Sequence, residues 1–124
     1  MVKLHTSVEK LNLLLQEGKI QEAFDTYYGA NVTVQVNGSA PLTGKEANRT
    51  REMIFLQEIG IFGSAEIKSV TFGGVDENVS MTEWALTIEN KENAKKVIYR
   101  VNVQQWKDNK VIHERLYFCG DQKF

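Results

Sequence analysis

Two apolar-rich runs flank a short polar turn late in the chain: Lys95-Lys-Val-Ile-Tyr-Arg-Val-Asn-Val-Gln-Gln-Trp106, then Lys107-Asp-Asn-Lys110, then Val111-Ile-His-Glu-Arg-Leu-Tyr-Phe-Cys119. Both runs are rich in β-branched and aromatic residues, which is the signal of a β-hairpin. In the first strand Val97, Tyr99, Val101 and Val103 share one face; Ile98, Arg100, Asn102, Gln104 and Trp106 share the other. In the second, Val111, His113, Arg115 and Tyr117 oppose Ile112, Glu114, Leu116 and Phe118. Neither face is wholly polar, whereas a sheet with one solvated face alternates cleanly. Both faces are therefore expected to be covered, one by helices and the other by a second subunit. Polar groups on the covered face must be satisfied or solvated, and a polar-lined cavity would do this.

The chain has 124 residues, one domain's worth, so the expected organisation is a single domain over 1–124. A chain of this size buries roughly two thirds of its unfolded surface and needs no metal or disulfide staple. Apolar and charged fractions of 42% and 25% are those of a globular protein. The net charge of −1 comes from interspersed acidic and basic residues, with no basic stripe for nucleic acid. The single cysteine, Cys119, excludes an intrachain disulfide and fits a cytoplasmic setting. The N-terminal region has no long apolar run and no small-residue cleavage site, so neither a secretion signal nor a membrane span is expected.

Working back from the hairpin, Val79–Asn90 reads as a strand with Thr82, Trp84, Leu86 and Ile88 on one face. Ser64–Val75 is the strand before it, with Gly73-Gly74 marking a bulge or an end. Asp76-Glu-Asn78 and Lys91 to Ala94 are the turns between strands. Upstream the period becomes helical. Thr6-Ser-Val-Glu9 is a capping box, followed by Val8, Leu11, Leu14 and Leu15, and Gly18 is a stop. A second helix is expected over Lys19–Tyr28, then a turn at Gly29-Ala30-Asn31 and a strand over Val32–Val36. Thr43-Gly-Lys-Glu46 is a second capping box and opens a helix to about Glu58, with Ala47, Met53, Ile54 and Phe55 or Gln57 inward and Gly60 as its end. Helix, helix, strand, helix, then four antiparallel strands is an α+β order.

That order, with several phrases, resembles the nuclear transport factor 2-like superfamily and, within it, the SnoaL-like proteins. The phrases are Gly18-Lys-Ile-Gln-Glu-Ala-Phe24 leading into Tyr27-Tyr-Gly-Ala-Asn-Val-Thr-Val34, Thr43-Gly-Lys-Glu-Ala47, and Val101 through Phe118. The resemblance implies an α+β, cystatin-like fold: a cone-shaped barrel of a curved, mostly antiparallel sheet with three N-terminal helices on its concave face. It also implies a largely apolar pocket and a homodimer joined through the outer sheet face. Members include steroid isomerases, polyketide cyclases, dehydratases, epoxide hydrolases and non-catalytic modules, and fold does not choose among them.

Their catalytic sets do not transfer whole. The tyrosine and two carboxylates of the ketosteroid isomerases would fall at Leu11, at Val36 or Asn37, and at Asn102. Glu114 and Leu116 stand where SnoaL-type cyclases place a histidine and an aspartate. Arg100 is available for an Asp–Arg–Asp set of the epoxide-hydrolase kind, but its carboxylates are not evident.

The resemblance turns Glu114 and Asn102 into the cone as the candidate catalytic pair. A carboxylate in an apolar cavity has a raised pKa and can act as acid or base; Asn102 could donate to a substrate oxygen. The structural alternative pairs Glu114 with Arg100, Arg49 or Arg51. Candidate ligand-binding residues are Arg100, Trp84, Trp106, Leu116, Phe118 and Tyr27; the alternative for the aromatics is core packing. One hydroxyl of Tyr27 and Tyr28 could cap the pocket while the other ring packs. His113 faces outward, and His5 and His113 have no metal-ligand spacing. No phosphate-binding glycine motif is present. Val97, Tyr99, Val101 and Val103 form an apolar stripe expected to join two copies. The expected function is binding of a small, largely apolar organic ligand. Cofactor-independent isomerisation, cyclisation or dehydration would follow if the chain is an enzyme, and a non-catalytic binding or interaction module is the alternative.

Overall fold

A computed structural model describes residues 2–59, 61–89 and 95–118. The elements are α1 (Val2–Gln16), α2 (Ile20–Tyr27), β1 (Tyr28–Val36), β2 (Leu42–Thr43), α3 (Lys45–Ile59), β3 (Ile61–Gly73), β4 (Val79–Glu89), β5 (Lys95–Lys107) and β6 (Lys110–Phe118). The α+β order expected from the sequence is present, with β2 added. One sheet holds six strands in the order β2-β1-β6-β5-β4-β3. It is an open cone, with β2 and β3 at its edges. β1 runs parallel to β6, and the other neighbours pair antiparallel. The expected stop at Gly60, the turn at Lys91 to Ala94, and Cys119 lie outside the described residues.

α1 begins at Val2, so Thr6 is interior to the helix rather than its cap. The reason is Leu4, which extends the apolar stripe one turn upstream and packs on the core with Leu14 and Leu15. At the other end the backbone N–H of Lys19 bonds the Leu14 carbonyl and that of Gly18 bonds Leu15. This is a Schellman closure, and Gly18 sits at φ +74° as that closure requires.

Tyr28 already belongs to β1, so Gly29-Ala30-Asn31 is strand rather than turn. The extra residues are absorbed by a register shift against β6 between Tyr28 and Thr33. A second shift, between Gln105 and Trp106, pairs Trp106 with Val111 and Gln105 with His113. It reverses the parity expected at the start of β6. Val111 is fully buried on the side of Glu114 and Leu116, and Ile112 is only half-buried.

The second capping box does not form as expected. The Thr43 hydroxyl lies 2.9 Å from that of Thr33 across β1 and β2, and Glu46 pairs with Arg49. Ala47 and Ile54 are exposed. The inward stripe of α3 is Asn48, Arg51, Glu52 and Phe55, which has helical spacing but mostly polar side chains. Asn48 is buried and donates to the carbonyls of Leu42 (3.0 Å) and Gly44 (2.8 Å), tying α3 to β2.

Two apolar clusters fill the concave side. Val8, Leu11, Phe24, Tyr27, Val32, Trp106 and Val111 pack under α1 and α2; Trp84, Leu86, Ile88 and Ile98 pack between β4 and β5. Each fully buried aliphatic side chain such as Leu11 stabilises the fold by about 1.5–3 kcal/mol. On the convex side Met81, Val97, Tyr99 and Tyr117 are exposed, and Val101 lies opposite Tyr117.

Candidate functional site

The polar stripe of α3 does not close against the sheet. A cavity of about 630 Å3 lies between α3, the loop after β1, and strands β1 and β6. Val34, Phe55, Leu116 and Phe118 give it apolar walls, and Arg51, Glu52 and Glu114 bring charge into it. The rings of Phe55 and Phe118 meet at 5.6 Å.

Glu114 is 4% exposed. Its Oε2 accepts from the Tyr28 hydroxyl at 2.7 Å and from Gln104 Nε2 at 2.6 Å. Behind Gln104 the chain of bonds continues: Trp106 Nε1 donates to Ser80 Oγ (3.0 Å), and Ser80 Oγ donates to Gln104 Oε1 (3.2 Å). An indole N–H can only donate, so Ser80 must accept from it and pass its own proton to Gln104. The Gln104 amide is thereby oriented with its NH2 toward Glu114. Burial raises the pKa of Glu114 above the ordinary carboxyl range. The bonds from Tyr28 and Gln104, and the charge of Arg100, pull it back; the charge of Glu52 pushes it up again. Tyr28 is held well above its ordinary value by burial and then by Glu114.

Glu52 is the second carboxylate. Its Oε1 lies 3.5 Å from Arg100 Nη1, and both side chains are largely shielded. Arg49 pairs with Asp25 and Glu46, and Arg51 donates to the Val34 carbonyl (3.1 Å) and Asn48 Oδ1 (2.9 Å). The three arginines weighed as structural partners of Glu114 are therefore bonded elsewhere.

The other residues singled out in the sequence divide. Leu116 and Phe118 line the cavity with Glu114. Arg100 and Trp84 line a separate space of about 100 Å3 beneath α1 and α2, and Glu52 borders both spaces. Asn102 is buried opposite Leu116 and Thr82, lines neither space, and its Oδ1 has no hydrogen-bond partner among the described residues. Trp106 and Tyr27 line neither; their rings meet edge to face at 6.2 Å in the core. Gln104 and Glu52 are the residues sequence reasoning passed over; of the two tyrosines weighed for the pocket, Tyr28 is the one whose hydroxyl reaches Glu114. Gln104 was legible, since it lies on the Asn102 face of the hairpin. Glu52 was hidden by the search for an apolar stripe on α3. Among the described residues no group of three or more His, Cys, Asp or Glu side chains is placed to hold a metal ion. No described helix is long and apolar enough to cross a membrane.

No family model matches the chain, and no curated protein matches it in sequence. Solved structures do match in shape. An NTF-2 like protein of unknown function from Burkholderia xenovorans superposes with a TM-score of 0.75 at 15% identity, over 98% of this chain and 87% of that one. An LEH-like epoxide hydrolase of M. tuberculosis gives 0.70 at 18% identity, over 96% and 84%. SalBIII, an epoxide hydrolase/cyclase-like enzyme with a role in pyran ring formation in the polyether salinomycin, gives 0.75 at 17%, over 94% and 91%. At these identities the likeness is one of fold. The chain has the nuclear transport factor 2-like fold, which SnoaL-like proteins share, as the resemblance implied.

Proposed function

We propose that this chain binds a small, largely apolar organic molecule in the 630 Å3 cavity and rearranges it by acid–base chemistry without a cofactor. Isomerisation, cyclisation and dehydration are the reactions such a site would run. The observation that carries this reading is Glu114: a buried carboxyl with a raised pKa, lining an aromatic-walled cavity that also holds Glu52. A group held toward its neutral form can deliver a proton, and a second carboxylate held by a guanidinium can receive one. In this reading Glu114 moves the proton, Glu52 takes the opposite role, and Phe55, Leu116 and Phe118 hold the body of the ligand. The role of SalBIII in pyran ring formation makes ring closure the first reaction to try.

The test is incubation of the full chain with a panel of hydroxy-epoxides, β-hydroxy ketones and β,γ-unsaturated ketones, followed by NMR. Turnover that disappears in Glu114→Gln, with the circular dichroism spectrum retained, is the expected result. Equal turnover by that variant would remove Glu114 from the chemistry. Binding of these compounds without turnover would establish the second reading, a non-catalytic ligand-binding module. One observation favours that reading: the donors on Glu114 Oε2 are the protein's own Tyr28 and Gln104.

The same proposal includes a homodimer. Met81, Val97, Tyr99 and Tyr117 stand exposed on the convex sheet face, flanking Val101. Large apolar side chains concentrated on one face favour an interface, and two copies related by a two-fold axis would cover both.

A further inference from the structure

The smaller space holds a puzzle of hydrogen bonding. It measures about 100 Å3, room for more than one water-sized group. Trp84 and Arg100 stand in its wall as direct partners across the β4–β5 ladder. They are 1% and 7% exposed. The Trp84 Nε1–H and the Arg100 Nε–H are buried donors with no partner among the described residues. Trp106, the other tryptophan, has its indole N–H satisfied by Ser80. Neither Trp84 nor Arg100 can accept a bond. The remaining lining side chains, apart from Glu52, are apolar, Leu15, Ile20 and Leu86 among them. Two adjacent buried donors without an acceptor are costly, and native interiors rarely leave them so.

We infer that this small chamber is a subsite for a carbonyl oxygen of the ligand, received by the Trp84 and Arg100 donors. The inference rests on the larger cavity holding the ligand's apolar body, and on Glu52, which lines both spaces and sets them side by side. Charge selects the kind of oxygen. Arg100 already faces Glu52 at 3.5 Å, so its positive charge is matched. A carboxylate entering here would meet Glu52 as a like charge. A carbonyl brings no charge and no proton, and its two lone pairs accept one bond from each donor. The substrate class is therefore narrowed to neutral ketones, esters or lactones with an apolar body.

The experiment uses the full chain labelled with 15N, whose two tryptophans give two indole N–H signals. Trp84→Phe removes one signal and assigns both. The probes are acetylcyclohexane and isopropenylcyclohexane, which differ by a carbonyl oxygen replaced with CH2. The ketone is expected to move the Trp84 indole proton downfield while the Trp106 signal stays; the alkene is expected to leave both in place. Trp84→Phe is expected to weaken ketone binding by about tenfold and alkene binding not at all. If β1 and β6 amides move with the ketone but the Trp84 indole does not, the chamber is no carbonyl subsite, although the larger cavity still binds. If no signal moves with either probe, the reading of the larger cavity fails and takes this subsite with it.

Discussion

The Tyr28 hydroxyl lies 2.7 Å from Glu114 Oε2, joining two residues 86 positions apart. Tyr28 opens β1 and Glu114 sits in β6, the parallel neighbour of β1. The bond ties the first strand to the last described one at the wall of the larger cavity. It also works against burial, since a donor to the carboxylate favours its charged form.

Removing that donor has a defined consequence. Tyr28→Phe is expected to cost about 1–3 kcal/mol in urea denaturation, because a buried carboxyl loses a hydrogen bond. The Glu114 pKa is expected to rise further, which 13C NMR of the carboxyl would follow. A variant with unchanged stability and unchanged titration would show the bond to be without weight.

The pH dependence of stability has a sign set by Glu114. Its folded pKa is raised, while an unfolded glutamate titrates near about 4.3. The folded state therefore holds the proton more tightly, and the group's stabilising contribution is full below the unfolded value. It is lost as pH rises through the raised folded value. Wild type is expected to lose stability over that window relative to Glu114→Gln. Parallel stability curves for the two proteins would contradict a raised pKa.

Ser80 acts on Glu114 through Gln104. With Ser80→Ala the Gln104 amide loses the proton that orients it and is able to turn its oxygen toward Glu114. The Glu114 titration is then expected to move upward, and Ser80→Thr, which keeps a hydroxyl, is expected to restore it. A Ser80→Ala protein that is less stable but titrates as wild type would confine Ser80 to packing.

The convex face gives a prediction on assembly. At micromolar concentration the chain is expected to sediment as a dimer, and Tyr99→Arg is expected to yield a monomer of unchanged circular dichroism. Wild type sedimenting as a monomer would end the interface proposal.

Gly74 carries the turn from β3 to β4. Its φ is +86°, and an added Cβ would stand 2.6 Å from Val79 Cγ2. Gly74→Ala combines backbone strain with that clash and is expected to destabilise by about 1–3 kcal/mol. A thermal midpoint equal to wild type would show that the turn relaxes freely.

The inward face of β5 was legible because alternation is a local property: Ile98, Arg100, Asn102, Gln104 and Trp106 are all buried together. The register shift at Gln105 and Trp106 was not, and with it went the placement of Val111 and Ile112. A bulge is set by how two strands meet, and the polar turn between them carries no mark of it. Glu52 escaped for a different reason. The inward stripe of α3 keeps the helical period but carries Asn48, Arg51 and Glu52, so hydrophobicity cannot trace it. The lapse in apolar patterning coincides with the cavity wall, because a helix that borders a charged cavity has no oil-like surface to bury. Of the paired tyrosines, Tyr27 ends α2 and packs, while Tyr28 begins a strand and reaches Glu114. Two adjacent rings were separated by a boundary one residue wide.

The parallel pairing of β1 with β6 also orders events at the ribosome. The helices and β1 are synthesised before the strands they pack on, and β1 has to wait until residues through 118 have been made before its main partner exists. The β3–β6 meander pairs only strands adjacent in sequence, the kind of contact that forms fastest. Until β5 and β6 are made, the apolar residues of α1 and α2 lack Trp106, Val111 and Leu116, the side chains that cover them, and exposed apolar surface of that kind is what chaperones and other chains capture. The cavity wall that β1 shares with β6 is complete only once residues through 118 have been made.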